Sequence, residues 1–174
     1  FAASGITLIA AMGILGLIMR LTQAGAIGLS PAWFYRLLTL HGGGMITGAL
    51  LAAMGATWYV LHPVVPLRPR RMLASYALMI AGATAVLVAT LVGGFGAAWT
   101  FLPPLPFFPA GQWSVWSEIV FFAGMLAIGS AFFLYFLDAP SQTYTAYGGV
   151  LRSPALHSLP VPQHGAPTPP RRAV

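Results

Sequence analysis

Four stretches of the chain, residues 1–19, 38–61, 74–95 and 116–137, meet or approach the length of mostly apolar sequence that a helix needs to cross a bilayer core, about 20 residues for a core about 30 Å thick. A water-soluble fold is excluded with them. Hydrophobic residues make up 58% of the 174 and charged residues 6%, where a soluble domain carries about 25% charged. The spacing predicts an all-α, polytopic membrane protein: a four-helix transmembrane domain over residues 1–138 and a Pro-rich cytoplasmic tail over 139–174. The first stretch could pass for a signal peptide, but it lacks a basic front end and more spans follow, so it reads as a truncated transmembrane helix. Gly and Ala are dense in every span, as in Gly44-xxx-Gly48, which in lipid lets helix backbones approach closely.

Charge excludes other classes and sets direction. All eight basic residues are arginines and only Glu118 and Asp138 are acidic, so the net +6 is a sparse charge rather than a basic surface for nucleic acid. The absence of cysteine removes disulfides, thiolate catalysis and thiolate-ligated metals. Arg68, Arg70 and Arg71 lie in the second connection and Arg152, Arg171 and Arg172 in the tail, so the positive-inside rule puts both termini in the cytoplasm of a bacterial or archaeal inner membrane. Residues 21–37, with Arg36, and the uncharged, aromatic- and Pro-rich residues 96–115 are then the outer loops. The second has the composition of an interfacial belt, with docking of an external partner as the sharper alternative. The tail has too little apolar sequence to fold alone and is expected to be an extended arm ordered by a partner; His157 and His164 lie in it without neighbouring ligand residues.

Ionisable groups at membrane depth point to function, and there are few. His41 falls one turn into the second span, in Thr39-Leu40-His41-Gly42-Gly43-Gly44. A neutral imidazole ligates haem iron, and the three glycines remove side chains that would collide with a flat macrocycle. Along its helical face come Met45, Gly48, Ala52 and Gly55; the plainer alternative is a histidine hydrogen-bonded to a neighbouring helix. His62, 21 residues later, lies about 30 Å away at the other membrane face and cannot share one haem with it. Arg20 ends the first span at the level of His41, either snorkelling to the interface or reaching a cofactor carboxylate or formyl group. Glu118 reads as an interfacial carboxylate and Asp138 as a helix-end residue.

These features resemble, in order and spacing, the first four helices of subunit I of the haem–copper oxygen reductases, the cytochrome oxidases and their nitric oxide reductase relatives. The motifs are Tyr35-Arg36-Leu37-Leu38-Thr39-Leu40-His41-Gly42, then Val64-Val65-Pro66-Leu67, then Trp99-Thr100-Phe101-Leu102-Pro103-Pro104-Leu105, and the resemblance spans residues 5–140. It implies that His41 is an axial ligand of the low-spin haem, that Arg20 lies near that haem, and that Trp99 lies at the outer face near the electron entry side. It also implies that the other low-spin ligand, the high-spin ligand and the copper-binding histidines lie on later helices, so this chain holds no copper and does not reduce oxygen alone. The acidic residue that opens a proton channel in many members is missing from Arg68-Pro69-Arg70-Arg71, and the arm in place of a fifth helix suggests a chain ending after four spans. The expected function is that of a split or degenerate subunit I in a respiratory membrane complex, its low-spin haem completed by a partner chain. The alternative is a haem-free accessory or assembly subunit; an unrelated four-helix scaffold is a third.

Overall fold

The computed structural model describes residues 1–98 and 112–148. Four helices follow one another, α1 (Ala2–Gln23), α2 (Pro31–Leu61), α3 (Pro69–Leu91) and α4 (Val115–Tyr147), and each is long and apolar enough to span a membrane. The fold is therefore all-α and polytopic. Residues 99–111 and 149–174 lie outside the described residues, and with them the expectations placed on Trp99, His157 and His164.

The helices outrun the apolar stretches, for reasons that hydropathy alone does not carry. Residues 31–37, expected in an outer loop, form the first two turns of α2. Ser30 caps them, its Oγ accepting from Trp33 N–H at 3.4 Å, and Pro31 supplies a fixed φ at the first helical position. Aromatic and arginine side chains there suit a headgroup layer without breaking the helix. Proline also opens α3, drawing Arg70 and Arg71 into its first turn. That helix stops at Leu91 rather than at 95, because the chain turns through Gly94 at φ +78° and Phe95 N–H reaches back to Ala89 O at 3.0 Å. Phe95 is nevertheless fully buried, stacked 4.2 Å from Phe121.

The largest difference is at the end of α4. Asp138 is not a helix end, and residues 139–147, expected at the start of the extended arm, continue the helix through Pro140 to a left-handed Gly148. Proline removes one backbone donor there. Burial compensates: Ala139, Gln142 and Thr143 are all buried, Ala139 against Val65 and Leu67, while the Tyr147 hydroxyl donates to Val64 O. The Val-Val-Pro-Leu turn is thus the surface on which the extra turns of α4 fold.

Packing runs in antiparallel pairs, α1 on α2 and α3 on α4, with α2 touching both later helices. Glycines set both close approaches. A Cβ at Gly5 would lie 2.7 Å from Gly48 O, and a Cβ at Gly82 or Gly124 would lie 2.7 or 2.8 Å from the other's carbonyl oxygen. Polar ties join the pairs: Tyr135 Oη donates to Met54 O at 2.9 Å, and Ser4 and Tyr76 hydroxyls meet at 2.8 Å. Arg71 Nη1 lies 2.6 Å from Asp138 Oδ1, joining α3 to α4 at the end opposite His41.

Candidate functional site

Because α2 begins at Pro31, His41 sits ten residues into the helix, about 15 Å along its axis at about 1.5 Å per residue. It is nearly three turns into the helix and still one turn into the apolar stretch. The antiparallel pairing brings it against α1, where its Nδ1 lies 2.7 Å from Met12 O. A carbonyl oxygen only accepts, so Nδ1 carries the proton and Nε2 keeps its lone pair. The imidazole rests on Gly16: a Cβ there would lie 2.9 Å from His41 Cε1. Among the described residues Nε2 has no hydrogen-bond partner.

The glycines after His41 play another part than the one expected. Gly44 receives the side chain of Met12, Gly48 packs on Ile9 and Gly5, and Gly55 receives the backbone of Ala2, so this face of α2 is filled by α1. Met45, expected on the same face, is exposed. Room for a flat ring lies instead along α1. A Cβ at Gly13 would meet nothing within 4 Å, and Gly13, Gly16 and Arg20, spaced three and four apart, share one helix face beside the imidazole.

Arg20 lies one turn beyond Gly16, at the His41 end of the pair, exposed, with Nη1 donating to Gln23 Oε1 at 3.0 Å. The fold thus puts Arg20 one turn outward of His41 on the adjoining helix, with its guanidinium on Gln23. Trp99 cannot be placed, but its neighbour can: Ala98, at φ +52°, donates its N–H to Thr39 Oγ1 at 2.8 Å, while Thr39 donates to Tyr35 O at 2.8 Å. Thr39 therefore fixes where the chain enters the Trp99 segment, two residues from His41. Its place in the Thr-x-His-Gly motif was the only signal of that task in the sequence. His62 stands at the far end of α2, its ring 5.1 Å from Trp58. Glu118 falls in the first turn of α4, where a negative charge suits the helix dipole.

Met12, Gly16 and the Arg71–Asp138 pair were not legible as partners. A backbone carbonyl has no sequence signature, and an ion pair between residues 67 apart becomes visible only when α3 and α4 are paired.

An imidazole with one nitrogen fixed by a carbonyl, glycines along the adjoining helix and an arginine one turn away are residue types that suit a haem ligand and its surroundings. No curated protein and no solved structure matches the chain. The cytochrome c and quinol oxidase polypeptide I family matches residues 1–151. With that match over most of its length and four helices long and apolar enough to span a membrane, the chain belongs to this family, as a multi-pass subunit I polypeptide of a respiratory membrane oxidase.

Proposed function

We propose that His41 gives Nε2 to the iron of a low-spin haem as one of its two axial ligands. The observation that supports this is the 2.7 Å contact from Nδ1 to Met12 O, which sets the tautomer and aims the imidazole from the side. When bound, the haem supplies a one-electron centre. Around it, Gly13 and Gly16 leave the face of α1 flat, and Arg20 reaches a carboxylate or formyl group at the macrocycle edge by exchanging its contact with Gln23. The Thr39–Ala98 bond fixes the chain up to residue 98, beside the site.

The second axial ligand comes from outside the four helices. His62, the other histidine on α2, is at its opposite end. The four helices accordingly act as the N-terminal part of a subunit I, with the other haem ligand and the groups that reduce oxygen lying outside them. Both termini and the Arg68–Arg71 turn face the cytoplasm of a bacterial or archaeal plasma membrane. Outward-facing Ile6, Leu17, Leu126 and Phe133 are more than half exposed and meet lipid or neighbouring subunits.

One observation favours a second reading. The same Nδ1 contact ties α2 to α1 with no cofactor, as a haem-free accessory subunit would use it. Haem content separates the two: purified beside wild type and assayed as the pyridine haemochrome, an assembled His41→Ala complex is expected to carry one haem fewer. Equal haem in both would leave the accessory role.

A further inference from the structure

At the His41 end, on the other side of α2, a cleft of about 360 Å³ opens between the start of α2 and the chain leaving α3, lined by Pro31, Tyr35, Arg36, Gly94, Gln112 and Trp113. Two donors in its walls are buried without an acceptor, Arg36 Nε and Trp113 Nε1. Leaving a buried donor unmet costs roughly 1–3 kcal/mol, more when the group is charged. Each of these donors in the cleft walls therefore calls for an acceptor.

Among the described residues no carboxylate pairs with either donor. The chain's two acidic residues are Glu118 and Asp138. Asp138 pairs with Arg71 at the opposite end, and among the described residues Glu118 makes no ion pair. The guanidinium of Arg36 lies 4.9 Å over the ring of Trp33, which steers its plane but accepts no proton. It also rests against Gly94, where a Cβ would stand 2.8 Å from Nη2 and where φ is +78°, so backbone conformation and space alike call for glycine. Trp113 is held from behind by Phe95, ring centroids 5.3 Å apart. Both donors are thus braced by their neighbours.

We infer that this cleft binds a phosphate group through Arg36 and Trp113 Nε1, and that a phospholipid headgroup at the membrane surface is its source. The depth supports the lipid: Trp33, Tyr35 and Trp116 are exposed at this end, the composition of an aromatic belt at headgroup level. Size supports a group larger than water, whose share of liquid volume is about 30 Å³. The site is distinct from the one at His41, since five residues along α2 turn Arg36 about 140° away from the histidine.

The test uses the intact complex, delipidated in mild detergent and titrated calorimetrically with dihexanoyl phosphatidylglycerol and, separately, with sodium phosphate. Saturable binding of the lipid is expected, weakened about fivefold by Trp113→Phe, which removes only the N–H, and about tenfold or more by Arg36→Gln, which removes the charge. Saturable binding of inorganic phosphate with the same two losses would keep the oxyanion site and assign it a soluble ligand. If neither titrant binds, or if Trp113→Phe binds as wild type does, the inference is overturned. Should Arg36→Gln fail to assemble, the Trp113→Phe comparison decides by itself.

Discussion

At the scale of single residues, the site depends on what is missing from Gly16. The imidazole of His41 occupies the volume that a side chain on α1 would take, and its Nδ1 is held to Met12 O only because the two helices are that close. Gly16→Ala would put a methyl 2.9 Å from Cε1 and force the ring to tilt. The expected result is a shifted or broadened low-spin haem band in the assembled complex, whereas Gly129→Ala on α4, with open space around its Cβ, leaves the band in place. Identical spectra for Gly16→Ala and wild type would show that the ring position does not matter to the cofactor. Thr39 carries a different burden. Replacing it by Val keeps the shape but strands the buried Ala98 N–H, so the complex should lose roughly 1–3 kcal/mol of stability, read as a lower thermal midpoint, with Thr39→Ser close to wild type. Equal midpoints for Thr39→Val and wild type would remove the Thr39–Ala98 bond from the account.

At the scale of helices, small residues decide which faces meet. In a membrane the apolar driving force between helices is weak, so close backbone approach does the work, and Gly48 on α2 meets α1 with a Cβ position only 2.8 Å from Ile9 Cγ1 and 3.2 Å from Gly5 O. Gly48→Val should therefore separate the pair and abolish a monodisperse complex in size-exclusion chromatography. Gly129→Val, where nothing lies within 4 Å, should not. A monodisperse Gly48→Val complex would contradict this packing. The existence of these helices was legible in the sequence because uninterrupted apolar runs admit little else in lipid, and so was the Gly44-xxx-Gly48 contact surface. Their ends were not. Pro31 and Pro69 start helices inside segments too polar for the hydrocarbon, and α4 continues past Asp138 because Ala139, Gln142 and Thr143 find a surface on the Val64–Leu67 turn, a contact between residues far apart in the chain. The same limit governed the site. His41 could be singled out as an ionisable group at membrane depth, but the glycines after it were read as space for a ring when α1 fills that space, since nothing local to residues 42–48 says which helix will cover them.

At the scale of the whole molecule, the bundle has two chemically different ends. One carries Arg68, Arg70, Arg71 and Asp138; the other carries Arg20, Arg36, His41 and Trp113. In the topology proposed above, the first faces the cytoplasm. Because the chain has no cysteine of its own, Pro69→Cys and Gly28→Cys report on the two ends without background. An impermeant thiol reagent applied from outside should label the Gly28→Cys variant and spare Pro69→Cys; the reverse pattern would invert the bundle and move His41 to the cytoplasmic side.

The central claim, that the imidazole of His41 ligates haem iron, is tested most directly by the reduced-minus-oxidised spectrum of the purified complex with His41→Gly beside wild type, before and after addition of free imidazole. Loss of one low-spin band in an assembled complex, with its return on adding imidazole, is the predicted result. A low-spin band unchanged by the substitution would contradict the claim and leave His41 as the residue that fastens α2 to α1.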